Sequence, residues 1–246
     1  FIFDSLTYRA SSDWGDLLGY SPSALAEANL QSLEIYRDVA SEVGMAREDV
    51  VISGCIGPKG DAYERNDDLT ADGAQEYHQA QVDTFAAGRA DLVTALSLSS
   101  SQEAIGIVRA ASSAGLPAAI SFTVWSDQRL GGGETLREAI ETVDDATGSA
   151  AAYFMINCSH PLDFGPALED DDWVTRVHGF RANASNEEHS TLSLADHLDE
   201  GDPDELARQY AALRSRFPHM NVFGGCCGTD LTHVQKISAV LQAGST

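Results

Sequence analysis

The chain alternates between short apolar runs and longer stretches in which apolar residues return every three or four positions. The short runs have the length of β-strands, and the longer stretches have the period of an amphipathic helix. The predicted strands lie at residues 1–7, 50–55, 91–98, 116–124, 151–156, within 173–180, and at 220–223. The predicted helices lie between and after them, at residues 22–43, 71–87, 102–114, 135–147, 204–216 and 231–241.

This alternation predicts an α/β fold in which helical crossovers join parallel strands. The strands are almost continuously apolar, as expected where helices cover both faces of a sheet. An open doubly wound sheet and a closed (β/α)8 TIM barrel both fit the order. The length of 246 residues and a strand spacing of roughly 30–40 residues favour the barrel, whose usual size is about 250 residues. We therefore expect a single barrel domain over residues 1–246.

The predicted strands supply seven of the eight units that such a barrel needs. The chain has no initiator Met and opens inside a strand pattern. We therefore expect the first β/α unit to be missing upstream of Phe1. By this count the predicted strands are numbers two to eight of the barrel.

Charge narrows the range of partners. The formal net charge is -23, with 15 Lys and Arg against 38 Asp and Glu. Such a surface repels nucleic acid and anionic membranes, so neither is an expected partner. No apolar run reaches the length of a membrane-spanning helix, and no signal peptide precedes the first strand pattern. We expect a cytoplasmic protein that acts on small molecules, with an oligomer possible.

Polar residues follow the predicted strands, where the loops of a TIM barrel carry its chemistry. These residues are Asp4, Ser5 and Thr7 at the end of the first strand, Asp127 after the fourth, Asn157 and Cys158 after the fifth, Asn183 after the sixth, and Cys226 and Cys227 after the seventh. Three thiols are therefore expected at one rim of the fold.

Adjacent cysteines impose a condition on the backbone. Neighbouring side chains of a strand point to opposite faces, so Cys226 and Cys227 can reach one point only if the chain turns out of the strand there. The flanking glycines at positions 224, 225 and 228 are expected to supply that freedom, because glycine adopts positive φ without a steric penalty. Thr229 or Asp230 can then cap the helix that follows.

Three cysteine thiolates suit a Zn²⁺ site with one exchangeable position. By simple counting, such a site carries a formal charge of about -1, which makes the metal a weak Lewis acid toward carbonyl groups. It suits the activation of a substrate thiol instead. A free thiol has a pKa of about 8.5 and stays mostly protonated at neutral pH, whereas metal coordination removes the proton. The residues therefore predict alkyl transfer to a thiol, with Cys158, Cys226 and Cys227 as metal ligands and catalytic residues.

Other interpretations of the cysteines and of His160 remain open at this point. Cys226 and Cys227 could form a redox pair, although a disulfide between neighbours closes a strained ring. Cys158 taken alone could be an ordinary buried cysteine, as we expect for Cys55. His160 could be a fourth ligand, but a hydrogen-bonded role is the more common one for such a histidine.

The motif Gly-Gly-Cys-Cys-Gly-Thr at residues 224–229, with Asn157 and Cys158 far upstream, resembles the homocysteine S-methyltransferase family. The resemblance extends along the chain through residues 7–11, Gly57-Pro58, Glu103-Ala104 and Asn183. It implies a TIM barrel, a zinc cofactor on the three cysteines, and transfer of a methyl group to homocysteine to give methionine. The donor that it implies for so short a chain is an onium compound, S-methylmethionine or S-adenosylmethionine.

The chain departs from the family pattern at two places. The Asp-Gly-Gly motif of the family's first strand is absent, and Leu96-Ser97 replaces a Glu-Thr pair whose Glu binds the amino acid. Asp4 and Asp127 are then the candidate partners of the substrate ammonium group. For a zinc-dependent thiol methyltransferase, we expect Asp4, Ser5, Thr7, Asn157 and Asn183 to line the substrate pocket. A methyltransferase for another thiol, and a non-catalytic zinc- or thiol-binding barrel without the amino-acid clamp, are the alternatives.

Overall fold

The computed structural model describes residues 1–62, 68–187 and 189–243. The chain divides into two compact units, which are described separately. The first unit comprises Phe1–Ser121 and Glu141–Tyr153, and the second comprises Phe122–Ile140 and Phe154–Thr246.

The first unit alternates parallel strands and helices in chain order. Its elements are β1 (Ile2–Asp4), α1 (Ser12–Leu17), α2 (Pro22–Glu42), β2 (Val51–Ile56), α3 (Ala71–Ala87), β3 (Leu92–Leu98), α4 (Ser101–Ser113) and β4 (Ala118–Phe122). Strand β2 pairs in parallel with β1 and with β3, and β4 follows β3 in the sheet.

Local sequence signals fix the beginnings of the long helices in the first unit. Ser21 accepts a hydrogen bond from the backbone of α2 directly before Pro22, and Thr70 and Ser100 cap α3 and α4 in the same way. Each cap satisfies a backbone N–H that has no partner inside its helix. Strand β3 is buried at all seven positions, which agrees with a sheet covered on both faces.

The second unit continues the same alternation. Its elements are α5 (Leu136–Thr147), part of which belongs to the first unit, β5 (Tyr153–Asn157), α6 (Pro161–Phe164), β6 (Val177–Ala182), α7 (His189–Leu192), α8 (Pro203–Arg216), β7 (Val222–Gly225) and α9 (Leu231–Ala243). Strand β6 pairs in parallel with β5 and with β7.

An aromatic cluster joins β6, β7 and α8. The ring of Phe180 lies 4.4 Å from that of Tyr210 and 5.3 Å from that of Phe223, measured between centroids. The Tyr210 hydroxyl accepts a hydrogen bond from the N–H of Ala182 and donates one to the carbonyl of Gly224, at 2.8 and 2.6 Å. Tyr210 thereby ties the ends of both strands to the same buried ring.

The predicted α/β class and the parallel order of strands are confirmed in both units. Most predicted elements agree with the structure to within two residues at each end. Helix α1 was not predicted, because its six residues are too few to show an apolar period. The first strand ends at Asp4 instead of Thr7, because Ser5 and Thr7 turn to bond β2 through their side chains.

Two strands lie further along the chain than predicted. The seventh was expected at 220–223 but occupies Val222–Gly225, because its glycines continue the pairing with β6. The sixth, expected within 173–180, runs over Val177–Ala182, and residues 172–176 form a 3-10 helix before it. Within the described residues, none of the helices has both the length and the hydropathy required to cross a bilayer. The prediction of one domain over residues 1–246 stays a prediction.

Candidate functional site

Three cysteines of the second unit come together at the carboxyl ends of β5 and β7. The Sγ atom of Cys158 lies 2.9 Å from that of Cys226 and 3.7 Å from that of Cys227. All three sulfurs lie within 4.8 Å of one another. We call these residues the thiol cluster. The prediction that Cys158 meets the vicinal pair from 68 residues away in the chain is confirmed.

Backbone conformation brings Cys158 into the cluster. Cys158 follows the last residue of β5 and has a φ of 54°. This left-handed conformation is uncommon for a residue with a Cβ atom. It turns the chain out of the strand, so that the thiol is presented at the strand end. Strain of this kind is often found at functional sites.

The glycines around the cysteine pair act differently from the prediction. Gly224 and Gly225 continue strand β7, and of the three flanking glycines only Gly228 has a positive φ, at 78°. Gly225 is required for space instead, because a Cβ atom there would lie 2.1 Å from Oγ1 of Thr229. The Thr229 hydroxyl folds back over this glycine and donates a hydrogen bond of 2.7 Å to the carbonyl of Cys226.

Backbone hydrogen bonds to the last residue of β6 and to the segment after it fix the cysteine pair. The N–H of Cys226 donates to the carbonyl of Ala182, and the carbonyl of Cys227 accepts from the N–H of Ala184, each at 2.9 Å. Asp230 caps α9, since its carboxylate accepts a hydrogen bond of 3.1 Å from the N–H of His233. The chain is therefore held both before and after the pair.

Contacts within the thiol cluster shift the pKa values of Cys226 and Cys227 in opposite directions. Hydrogen bonds from Cys158 and then Cys227, with smaller contributions from Asn157 and the charge of Arg181, outweigh burial and lower the pKa of Cys226 far below that of an ordinary thiol. The same contacts with Cys158 and Cys226 raise the pKa of Cys227. Without a cation, the cluster can therefore lose one proton readily but resists losing all three, because adjacent thiolates repel one another.

The donor set fits a thiophilic cation. Zinc holds cysteine sulfur at about 2.3 Å in a tetrahedral arrangement, which places two sulfurs about 3.8 Å apart. The separation of 3.7 Å between Cys158 and Cys227 already matches this value. The closer pair, Cys158 and Cys226, would need to open by roughly 1 Å. Three sulfurs leave one tetrahedral position for another ligand.

Two amide side chains form hydrogen bonds with residues of the thiol cluster. Asn157 is 1% exposed, and its Nδ2 atom lies 3.8 Å from Sγ of Cys226, as a donor to sulfur. The Oδ1 atom of Asn183 accepts a hydrogen bond of 3.2 Å from the N–H of Cys227. Both amides therefore contact the cysteines, and their predicted contact with substrate stays a prediction.

The remaining predicted substrate residues have local contacts of their own. Asp127 is exposed, and its carboxylate accepts a hydrogen bond of 3.0 Å from the N–H of Arg129 within its own turn. Asp4, Ser5 and Thr7 belong to the first unit. The Ser5 and Thr7 hydroxyls lie 2.6 Å apart, and both bond the backbone of Cys55 in β2. Substrate binding by these four residues stays a prediction.

His160 and Cys55 have structural contacts. His160 lies at the beginning of α6, where its Nδ1 atom accepts a hydrogen bond of 3.3 Å from the N–H of Leu162. Burial lowers the pKa of His160, against a smaller opposing effect of its hydrogen bond with Asn186. Within the described chain, the group of possible metal ligands around Cys158 contains the three cysteines and not this histidine. Cys55 is buried in β2, as predicted.

Sequence reasoning missed two residues near the site. Tyr210 anchors the ends of β6 and β7, and nothing in its helical position identified that hydroxyl. Arg181 lies in β6, directly opposite Asn157 in β5 and Gly224 in β7. The alternation of faces along β6 could have identified Arg181, since its neighbour Phe180 is the residue that faces the helices.

The fold and the thiol cluster together define a protein of parallel β/α units that carries three convergent thiols at its strand ends. A sequence model of the homocysteine S-methyltransferase family matches residues 2–241. The chain belongs to this family and is a methyltransferase enzyme, which confirms the interpretation of the motif at residues 224–229.

Solved structures with the same fold include three forms of the homocysteine methyltransferase MmuM from Escherichia coli. The metallated and oxidized forms are 17% and 19% identical to this chain, each with a TM-score of 0.75. The apo form is 17% identical, with a TM-score of 0.69. The alignments cover 97% of this chain and 78%, 78% and 79% of the respective MmuM chains. No curated protein sequence matches the chain.

Proposed function

We propose that this enzyme transfers a methyl group from an onium donor to the thiol of homocysteine, giving methionine, with zinc held by Cys158, Cys226 and Cys227. The observation that carries the proposal is the convergence of three sulfurs within 4.8 Å. S-methylmethionine and S-adenosylmethionine are the donors that we propose, because each is a small molecule with a methyl group on positively charged sulfur.

The proposed reaction is an in-line displacement at the methyl carbon. A bond forms between the acceptor sulfur and the methyl carbon while the bond from that carbon to the donor sulfur breaks. The acceptor loses its thiol proton to solvent, and the donor leaves as a neutral thioether. When bound, zinc would supply a fourth coordination position and lower the pKa of the acceptor thiol.

The protein side chains around the cluster would hold its geometry during this reaction. Asn157 donates toward the Cys226 sulfur, and Asn183 fixes the backbone of Cys227. Groups that orient metal ligands in this way typically change metal affinity or activity by about 10–100-fold when removed. We therefore propose that both amides position the ligands as well as line the pocket.

The acidic composition of the chain supports a cationic donor. A net charge of -23 favours the approach of positively charged molecules over anions. Asp4 and Asp127 stay the proposed partners of the substrate ammonium group. All four cysteines are free thiols in the structure, which suits the reducing environment of the proposed cytoplasmic location.

Paired variants test the proposed metal ligands. Cys226→Ala is expected to remove zinc from the purified protein and to abolish methionine formation with either donor. Cys55→Ala removes a buried thiol outside the cluster and is expected to keep both properties. Zinc is measured by elemental analysis, and methionine by chromatography after incubation with homocysteine. Full turnover by a zinc-free Cys226→Ala protein would overturn the proposal.

A second candidate acceptor is a different thiol. Leu96 is buried in β3, at the position where the family pattern has the glutamate that binds the amino acid. A leucine cannot pair with an ammonium group. An acceptor without an amino group would then be methylated at least as well as homocysteine, and competition between homocysteine and 4-mercaptobutanoate decides between the two.

A further inference from the structure

Arg181 lies on the same face of the sheet as the side chains that support the thiol cluster. Neighbouring residues of a strand point to opposite faces. Phe180 packs against Tyr210 of α8, so Phe180 marks the helix-covered face of β6 and Arg181 points to the other face. Arg181 is opposite Asn157 in the register of β5 and β6, and the Asn157 amide lies next to the Cys226 sulfur.

Gly224 makes room for the Arg181 side chain. A Cβ atom on Gly224 would lie 3.3 Å from Cγ and 3.5 Å from Nε of Arg181, so the arginine stem extends across this glycine. The Nε atom is 3.4 Å from the carbonyl of Gly225, one residue before Cys226. The guanidinium group is therefore directed along β7 toward the beginning of the cysteine pair.

The charge of Arg181 lies beside the thiol cluster, because its Nε atom is next to the carbonyl that directly precedes Cys226. Arginine stays charged at all physiological pH values, and its fork of N–H groups matches the two oxygens of a carboxylate. The side chain is half-buried, which strengthens an interaction with an anionic group relative to one in open water.

We propose that Arg181 binds the carboxylate of the acceptor molecule while the thiol of that molecule is held at the thiol cluster. This inference rests on the proposed thiol methylation. It names the chemical class of the acceptor as a mercapto acid, and it assigns to β6 a specificity residue on the face shared with Asn157 and Gly224. It explains how an acidic protein with few cations can still accept an anionic group beside three cysteines.

Two thiols that differ only in a carboxylate or an amide group isolate the contribution of the carboxylate to binding. The probes are 4-mercaptobutanoate and its neutral isostere 4-mercaptobutanamide, whose binding to the zinc-containing protein is measured by calorimetry without a methyl donor. The wild-type protein is expected to bind the acid roughly tenfold or more tightly than the amide, in line with a charge-assisted bidentate pair. Arg181→Gln should reduce this ratio to about one, and Arg181→Lys should keep part of it.

Arg208→Gln is the matched control. Arg208 lies on the exposed side of α8, where it pairs with Glu205, so this variant removes the same charge from the same unit without touching the site. Its ratio of acid to amide binding is expected to equal that of the wild type. Zinc content, measured for every variant, separates an effect on the metal from an effect on the carboxylate.

The outcomes separate this inference from the proposed function. An acid-to-amide ratio that is unchanged in Arg181→Gln, or equal weakening of both thiols, would overturn the carboxylate role of Arg181. An arginine-dependent ratio in a protein that methylates no thiol would overturn the proposed function alone. Failure of the wild type to bind either thiol would overturn both.

Discussion

The carboxyl ends of β1 and β7 both carry small polar side chains, yet the two regions are built in different ways. At β1, the hydroxyls of Ser5 and Thr7 bond each other and both backbone groups of Cys55. At β7, backbone bonds together with the side chains of Thr229 and Asn183 hold the cysteine pair, and the sulfurs of the thiol cluster contact one another. Hydrogen bonds used to join strands stabilise the fold, whereas convergent thiols repel on ionisation and favour a cation.

The largest expected difference between the two regions is in the pKa of their thiol groups. The lowered pKa of Cys226 means that its proton is lost at lower pH than that of an ordinary thiol, so one thiolate should persist in the metal-free protein well below neutral pH. Thiolate absorbance near 240 nm, followed during acid titration, measures it. Cys226→Ala should abolish this low-pH signal and Cys55→Ala should keep it. A signal that appears only above about pH 8, as for free cysteine, would contradict the contacts described here.

A change at Gly225 should have the next largest effect. Alanine at this position would place its Cβ atom 2.1 Å from the Thr229 hydroxyl, whereas alanine at Gly224 would meet only the flexible stem of Arg181 at 3.3 Å. Overpacking of this kind costs about 1–3 kcal/mol. Gly225→Ala should therefore lower both the free energy of unfolding and zinc affinity, while Gly224→Ala should change the free energy of unfolding less. Urea denaturation and zinc titration compare the two, and equal effects would contradict the assigned role of Thr229.

The smallest expected effect on the metal comes from the hydroxyl pair at β1. Thr7→Val removes the hydrogen bond to Cys55 and should lower the free energy of unfolding by about 1–3 kcal/mol, with zinc content unchanged. Urea denaturation and elemental analysis measure these quantities. If homocysteine affinity fell strongly while the free energy of unfolding stayed constant, Thr7 would be a substrate residue, as its position after β1 predicted.

Some of these features could be predicted from the sequence, and others depend on contacts that only the folded chain makes. The apolar pattern identified the alternating strands and helices, because parallel strands that are buried on both faces are almost continuously apolar. The motif at residues 224–229 identified the thiol cluster, because two adjacent cysteines at one strand end and a third at another strand end rarely serve only to pack a core. The role of Gly225 could not be predicted, since it depends on where the Thr229 side chain folds. Arg181 was missed because its importance depends on the register between β5, β6 and β7.

The most direct test of the central claim is X-ray absorption at the zinc edge of the purified protein, before and after addition of homocysteine. The proposed site predicts three sulfur ligands at about 2.3 Å from Cys158, Cys226 and Cys227, and a fourth when the acceptor thiol binds. Fewer than three protein sulfurs around zinc, or a count that does not rise with homocysteine, would contradict the account.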